Sequence, residues 1–541
     1  MPAPQRRGGA LLVAAGILLS RLAGLVRQRA FAHFLGAGDE ADAFNAAFKI
    51  PNFLQNLLGE GVLSASFIPV YAQLRARAGL SPEQNDHDAR RLASAVAGLL
   101  GLVTSLFCVA GILAAPWLIA AIAPGFEGEK RQLTLRLVQI FFPGIGLLVL
   151  SAFCIGVLNS HHKFFLSYAA PVIWSAAQIA ALLLGARQPG HSTPQVALWA
   201  AWGSVVGAAL QLALQAPLVL KLLGGLQPQG LWLSLGRGNA HAVEVVRNFL
   251  PVVAGRGVVQ LSAYLDSFIA SWLPTGAVAA LGYAQTLYLL PVSLFGMSVS
   301  AAALPSMSAA QGVPGPEARE ALRAQLAKGL RAIAYPVVPS VVALWALGDV
   351  ASAALFRTGR FGDSAVLYVA MILAGSTLGL LAATQARLYS SAFYALKDTR
   401  TPLRYASLRV ALSGSLGLLS GLWLPRALGL DPELGAPFLA ATSGLSGWLE
   451  FLLLRRGLTA RVGEASLPSP LLLRLWGAAA LAGAAGVLVR EGFARVAVPG
   501  GPLVRAAAVF AVFGGVYLAA THRLGVPEAR SLARRLRLQR G

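Results

Sequence analysis

The sequence predicts an all-α polytopic membrane protein with about fourteen transmembrane helices, counted on a length of about 20 apolar residues per span. Of its 541 residues, 56% are hydrophobic and only 12% are charged, and the mean hydropathy is +0.65. Soluble domains carry about 25% charged residues. Apolar runs of about 18 residues or more recur along the chain, and each can cross a hydrocarbon core of about 30 Å.

The apolar runs and the breaks between them give the expected spans in chain order. They lie at about 10–34, 41–72, 91–117, 132–158, 165–186, 194–222, 241–272, 277–310, 319–348, 364–396, 402–424, 433–457, 470–490 and 503–522. The first run follows Arg6 and Arg7 without a clean small-residue cleavage site. We therefore expect a retained first helix instead of a signal peptide.

The formal net charge of +22 comes mostly from lysine and arginine in short loops between the apolar runs. This distribution sets the orientation of a membrane protein, and we expect no nucleic-acid partner. Basic loops near Arg75, His161 and Lys397 alternate with acidic or neutral ones such as GAGDEADA and LPTGA. The positive-inside rule therefore predicts that both termini are cytoplasmic.

A weak internal repeat divides the chain. The segment FLGAGDEADAFNAAFKIPNFLQNLLGEG is echoed by WLPTGAVAALGYAQTLYLLPVSLFGM, each with a glycine-containing turn, then a span with a proline and a later glycine. Such repeats are typical of transporters. We predict two pseudo-symmetric six-helix lobes at 1–225 and 226–460, followed by two additional helices and a basic tail at 461–541.

Ionisable residues inside apolar runs mark candidate sites, because a charge at mid-membrane costs about 2.5–3.5 kcal/mol. Arg21 and Arg27 are six residues apart, which places them about 120° apart around a helix. Two interpretations stay open for this pair. The arginines line an anion-binding cavity, where guanidinium groups suit phosphate, or they form an internal ion pair with Glu60 or contact a carbonyl. Arg29 is expected to extend toward the interface.

Further ionisable residues fall inside the predicted spans. They are Lys49, Glu60, Arg256, Asp266, Arg387 and Glu450. Asp266 either pairs across helices or binds a coupling ion or proton. Glu450 lies about one turn before Arg455 and Arg456, and we expect it to partner that helix end. The sequence contains no P-loop, HExxH or zinc spacing, so we predict no catalytic residue, no metal and no bound cofactor.

Several blocks of the sequence resemble the MurJ/MviN family of lipid II flippases. They are SRLAGLVRQRAFAHFLGAGDEADAFNAAFKIPNFLQNLLGEGVLSASFIPVYAQL, GVLNSHHKFFLSYAAPVI, FYALKDTRTPLRYA and DSFIASWLPTGAVAALGYAQTLYLLPVSLFGMSVSAAALPSMS. The resemblance covers most of the first 460 residues. It implies two six-helix lobes with two extra helices, as in the multidrug/oligosaccharidyl-lipid/polysaccharide exporter superfamily. It also implies a protein of the bacterial cytoplasmic (inner) membrane.

The activity that the resemblance implies is transport of lipid II, an undecaprenyl-diphosphate-linked peptidoglycan precursor, to the outer leaflet by alternating access. The substrate-binding residues that it implies are Ser20, Arg21, Arg27, Asp42, Glu60 and Arg387. Two arginines usual in the family are absent, since Gln55 and Thr286 stand near their places. Either Lys49, Arg29 or Arg256 compensates, or the cargo's head group differs, or the activity is lost.

Some members of the resembled family use a sodium site, and Asp266 matches its carboxylate in the seventh span. A second carboxylate is hard to find, because the neighbouring spans offer only Ser413, Ser415 and Thr442 in their interiors. The sequence therefore does not by itself predict sodium dependence, and a membrane potential and a proton gradient are the other candidate driving forces.

Three rival functions remain at this point. They are a small-molecule or drug exporter, a flippase for another lipid-linked oligosaccharide, and a non-transporting scaffold of cell-wall synthesis. A membrane-embedded enzyme is disfavoured, because the chain has a repeat and lacks a large polar loop. The expected partners are the undecaprenyl-diphosphate-linked substrate and membrane lipids, and we expect a monomer.

Overall fold

The computed structural model describes residues 7–75, 81–161, 163–225, 241–247, 249, 264–310, 316–495 and 501–531. These residues form helices and connecting turns without a β-strand in the described ranges. The chain divides into two compact units, Met1–Val278 (unit 1) and Ala279–Gly541 (unit 2). The predicted lobe boundary at 225 adjoins a segment outside the described residues, so the division into 1–225, 226–460 and 461–541 stays a prediction.

Unit 1 begins with a series of long helices. They are α1 (Arg7–Leu35), α2 (Asp39–Leu58), α3 (Glu60–Arg75), α4 (Pro82–Ile122), α5 (Gly128–Ser160), α6 (Phe164–Ala186) and α7 (Thr193–Leu223). Residues 241–247 and 264–270 are also helical. The apolar run at 41–72 was expected to be one span, but it breaks at Gly59, whose N–H donates to the Gln55 carbonyl at 2.7 Å. A Cβ at Gly59 would lie 2.2 Å from that carbonyl oxygen, which explains the glycine.

Helix α5 is the central element of unit 1, since most of its side chains between Leu137 and Leu158 are buried. It packs against α2, α4 and α7, and α6 packs against α1 and α7. In contrast, α4 exposes Leu106, Leu113 and Trp117. Large apolar side chains on an outer helix are expected to contact lipid in a membrane protein. Unit 1 therefore has an apolar outer face on α4. The helices that carry its interior charged side chains, α1, α2 and α5, pack against their neighbours.

The helices from residue 277 onward complete the described structure. They are α8 (Ala277–Pro291), a π-helical turn (Val292–Met297), α9 (Ser298–Ala310), α10 (Pro316–Ala346), α11 (Gly348–Phe356), α12 (Asp363–Thr377), α13 (Leu380–Ala395), α14 (Arg400–Leu418), a second π-helical turn (Leu419–Trp423), α15 (Leu424–Ala427), a 3-10 turn (Pro432–Leu434), α16 (Gly435–Val462), α17 (Ser469–Arg495) and α18 (Pro502–Arg523).

The predicted span at 364–396 is also broken, because α12 and α13 meet at a bend of 45°. At this bend a Cβ on Gly379 would lie 2.5 Å from backbone atoms of Gly444 in α16. Among the described residues, ten helices are long and apolar enough to cross a membrane, or eleven if this bent pair is one span. The structure therefore confirms the all-α polytopic membrane fold.

Candidate functional site

Arg27 lies on α1 with its guanidinium group over an aromatic ring. Its Cζ is 4.5 Å from the ring centroid of Trp174 on α6, where the face of an indole attracts a cation. No carboxylate of the described residues forms an ion pair with Arg27. A planar guanidinium held in this way can still donate its N–H groups to an anion.

The ring of Trp174 is itself fixed. Its Nε1 donates to the Ser204 carbonyl at 3.1 Å and lies 3.2 Å from the Ser204 hydroxyl on α7. The ring also contacts Phe48 of α2, with centroids 6.0 Å apart. Sequence reasoning missed Trp174, because a tryptophan in an apolar run is an ordinary residue and nothing in its spacing connects it to Arg27.

Lys49 joins α2 to the helical segment 264–270. Its Nζ donates to the hydroxyl of Ser267, and its backbone carbonyl accepts a hydrogen bond from Tyr264. The carboxylate of Asp266 is near enough to interact electrostatically with the Lys49 ammonium group. This interaction is compatible with both interpretations of Asp266, as a partner across helices and as a coupling site, and both stay predictions.

The structure gives less detail for four other candidate site residues, which are Ser20, Arg21, Glu60 and Arg256. Arg21 is exposed and Ser20 is half-buried. The side chain of Glu60 and the whole of Arg256 lie outside the described residues. An ion pair between Glu60 and Arg21 or Arg27 therefore stays a prediction, as does compensation by Arg256.

Asp42 lies in a buried ion pair at the start of α2. Its side chain is 1% exposed, and Oδ2 accepts hydrogen bonds from the Lys130 ammonium and the Gly276 N–H, each at 2.7 Å. Lys130 also pairs with Asp39 at 2.9 Å, and Thr275 donates to Asp39 at 3.0 Å. We call these five residues the Asp42 cluster. Protein donors satisfy Asp42, and its predicted role as a substrate ligand stays a prediction.

Backbone geometry supports the Asp42 cluster. Gly276 has φ +92°, and a Cβ there would lie 2.3 Å from the Ala37 carbonyl oxygen, so only glycine fits. Burial tends to raise the pKa of Asp39, but the hydrogen bond and charge of Lys130 outweigh it and hold that pKa below its ordinary value. The cluster therefore joins the starts of α2 and α5 to the turn at 271–276.

In unit 2, Glu450 of α16 pairs with a residue that the sequence did not suggest. The expectation that it partners Arg455 and Arg456 is wrong: its Oε2 lies 2.8 Å from Nε of Arg409 on α14, whereas Arg455 pairs with Glu464 at 3.1 Å. Residues three or four apart share a helix face, and the two arginines lie five and six positions from Glu450. The nearer partner comes from the neighbouring helix.

Arg387, the predicted basic residue of unit 2, lies on α13 and is exposed. Its charge acts on Glu450 and on Tyr288 of α8. Arg409 could have been found by the same reasoning as Arg387, because it is an arginine inside an apolar span. Thr286, one of the two residues that stand near the places where the resemblance implies an arginine, donates to the Gly282 carbonyl of its own helix at 3.0 Å.

A capped turn precedes α14. Asp398 accepts hydrogen bonds from the Thr401 hydroxyl at 2.6 Å and the Thr401 N–H at 3.0 Å, and it pairs with Arg461 at 2.8 Å. These bonds lower the pKa of Asp398 to about 2.

No group of three or more histidine, cysteine, aspartate or glutamate residues in the described part of the chain could hold a metal ion.

Membrane-length helices in two compact units define a multi-pass membrane protein, and ionisable side chains inside such helices are typical of transporters. The chain belongs to the lipid II flippase MurJ family, whose model matches residues 31–504. It is 33% identical over 489 residues to the "Lipid II flippase MurJ" of Burkholderia cenocepacia, covering 88% of each chain. It is 32% identical over 445 residues to the "Probable lipid II flippase MurJ" of Rhizobium tropici, covering 81% of this chain and 78% of the relative.

Solved structures agree on the fold. The structure titled "Lipid II flippase MurJ, inward closed conformation" matches with a TM-score of 0.75 and 22% identity, covering 95% of this chain and 98% of that chain. An inward-facing multidrug transporter of the MATE family and MOP superfamily matches with a TM-score of 0.62 and 16% identity, covering 83% and 98%. The family resemblance inferred from the sequence is confirmed.

Proposed function

We propose that the protein is a lipid II flippase, which carries its undecaprenyl-diphosphate-linked cargo from the cytoplasmic to the outer leaflet of the bacterial inner membrane by alternating access. Membership of the lipid II flippase MurJ family supports the cargo. The observation that carries the chemistry is the guanidinium of Arg27, held over Trp174 without a carboxylate among the described residues. The family is one of transporters, and the protein's action is transport rather than catalysis.

The diphosphate is the part of the cargo that these cations suit. Arg27 offers two parallel N–H donors to a phosphate group, and such charge-assisted bonds are about twice as strong as neutral ones. Lys49 supplies a second cation, which a diphosphate would draw from Ser267 and Asp266. With Gln55 and Thr286 in place of arginines, binding relies on fewer cations, which favours release of the cargo after transport.

Complementation of a bacterium depleted of its own flippase tests this function. Expression of the wild-type chain restores growth, whereas Arg27→Ala at equal membrane abundance does not. Arg187→Ala, which removes an exposed arginine after α6, is the matched control and rescues fully. Absence of rescue by a well-expressed wild-type chain contradicts the proposal. Drug efflux without rescue would favour an exporter, and neither activity would favour a cell-wall scaffold.

The proposed orientation places both termini, and the turn at Lys397, in the cytoplasm, with Asp42 on the outer side. Basic loops on one side and acidic or neutral loops on the other support this orientation. Single cysteines at positions 38 and 397 test it with an impermeant thiol reagent added to intact cells. Labelling at 397 but not at 38 would reverse the orientation.

Asp266 is proposed to couple transport to an ion or proton gradient through its interaction with Lys49. When a cation or proton neutralises Asp266, its carboxylate no longer competes with a phosphate for the Lys49 ammonium group. Asp266→Asn should therefore abolish the dependence of transport on sodium or pH without reducing abundance. Equal dependence of transport on sodium and pH in wild type and Asp266→Asn would contradict the coupling role.

The flippase is proposed to act as a monomer. Dimers of the purified chain in dilute nanodiscs would contradict that proposal.

A further inference from the structure

Unit 2 contains a charged cluster that the proposed transport chemistry does not use. Arg409 of α14 and Glu450 of α16 form an ion pair at 2.8 Å, with their side chains 24% and 17% exposed. Arg409 lies nine residues after Arg400, or about 13 Å along the helix. Charged residues this far inside a span are costly and usually serve a function.

Arg387 of α13 belongs to the same cluster, and both Arg387 and Arg409 have N–H donors that form no hydrogen bond with the described residues. The N–H at Nε of Arg409 is buried and forms no aligned hydrogen bond, although Glu450 is at ion-pair distance. In the described part of the chain, Arg409 donates no hydrogen bond, and Arg387 makes neither an ion pair nor a side-chain hydrogen bond. Both charges act on Tyr288 and on Glu450.

Arg409 is therefore paired with Glu450, and Arg387 acts on the same carboxylate from a longer distance, so the three charges sum to +1. One additional carboxylate would balance that charge, whereas a diphosphate would exceed it. A carboxylate also matches the planar fork of a guanidinium, with two parallel N–H···O bonds. Tyr288, on which both arginine charges act, has a hydroxyl that can serve as a further donor.

We propose that Arg387 and Arg409 form a carboxylate-binding site, which takes a peptide carboxylate of the cargo's head group, with Glu450 as the resident counter-ion. This inference rests on the proposed lipid II transport and adds a second recognition element to it. Glu450 occupies the site when cargo is absent and competes with the incoming carboxylate. Selection of a cargo with a free peptide carboxylate follows from this competition.

Binding of lipid II and of lipid II with methyl-esterified carboxylates to the full chain in nanodiscs tests the site. Native lipid II should bind the wild type about 10-fold more tightly than the ester, the value of a hydrogen bond to a charged group. Arg387→Gln and the charge-balanced double variant Arg409→Gln/Glu450→Gln should each remove this preference for native over esterified lipid II. Arg404→Gln, an exposed arginine on the same helix, is the control.

Glu450→Gln separates recognition from structural support, because it removes the competing carboxylate. The site predicts tighter binding of native lipid II by Glu450→Gln, whereas a merely structural ion pair predicts equal or weaker binding. Equal affinity of the wild type for native and esterified lipid II would overturn the site while lipid II transport stands. Failure of the wild type to bind either form would instead remove the proposed function and this inference together.

Discussion

Two charged regions of unit 1 differ in how their charges are balanced. In the Asp42 cluster, Lys130 is shared by two carboxylates, and Asp42 also accepts the Gly276 N–H. At α1, Arg27 contacts the ring of Trp174 and no carboxylate of the described residues. In the first region the protein supplies both donors and acceptors, whereas in the second the described residues supply Arg27 with an aromatic ring and no carboxylate.

The difference teaches how to distinguish support from recognition in a membrane transporter. A buried charge whose partners are all supplied by the protein holds segments together, and its loss leaves the partner uncompensated. A guanidinium oriented by an aromatic ring keeps its donors and charge for a ligand. Family resemblance alone placed Asp42 and Arg27 in the same site, and their contacts now suggest separate roles.

The largest expected effect is on stability, at the Asp42 cluster. Asp42→Asn should destabilise the folded chain by about 3–5 kcal/mol, because it removes one partner of a buried pair. The double variant Asp42→Asn/Lys130→Met should recover part of that loss. Thermal unfolding in nanodiscs measures both variants. Wild-type stability of Asp42→Asn together with lost lipid II binding would instead make Asp42 a substrate ligand.

A smaller effect is expected at the aromatic support of Arg27. Trp174→Leu removes a cation–π contact worth about 1–2 kcal/mol in a desolvated setting, so lipid II affinity should fall about 5-fold to 30-fold. Trp202→Leu is the matched control, because Trp202 on α7 is exposed. Lipid II titration of the two purified variants measures the difference. Equal affinities in both would show that the ring does not position Arg27.

The smallest effect is the acid response of the Asp42 cluster. Because the pKa of Asp39 is lowered in the folded chain, its stabilising contribution is fully present above the unfolded pKa and is lost as pH falls through the folded one. The Asp39 contribution should therefore be constant between about pH 7 and 5 and fade below about pH 4. Unfolding curves of wild type and Asp39→Asn over this range isolate it. A difference between the two curves that changes above about pH 5 would contradict the assignment.

The fold could be predicted from the sequence because long apolar runs have one common outcome in a bilayer. The breaks within two predicted spans, at Gly59 and between α12 and α13, were harder to predict. They depend on backbone contacts that a hydropathy pattern does not contain. The same limit applies to the charged sites. Arg27 could be singled out as a costly charge, but the position of Trp174 beside it depends on how α1 and α6 pack.

Partners across helices were the least predictable feature. Glu450 was assigned to its own helix end by proximity in sequence, whereas it pairs with Arg409 of a neighbouring helix. Lys130 could not be connected to Asp42, because 88 positions separate them. Interior charges therefore predict where chemistry is located, and three-dimensional packing decides which charges are balanced.

The most direct test of the central claim measures melting temperature and lipid II affinity together, in Arg27→Ala and Asp42→Asn, in the same nanodiscs. Arg27→Ala should melt like the wild type and bind lipid II at least about 10-fold more weakly, because a charge-assisted hydrogen-bond pair is lost. Arg27→Lys should not restore that affinity, since an ammonium group lacks the planar fork. Asp42→Asn should show the opposite pattern, with lower stability and unchanged affinity of the folded fraction. Unchanged lipid II affinity in Arg27→Ala, at normal stability, would contradict the account.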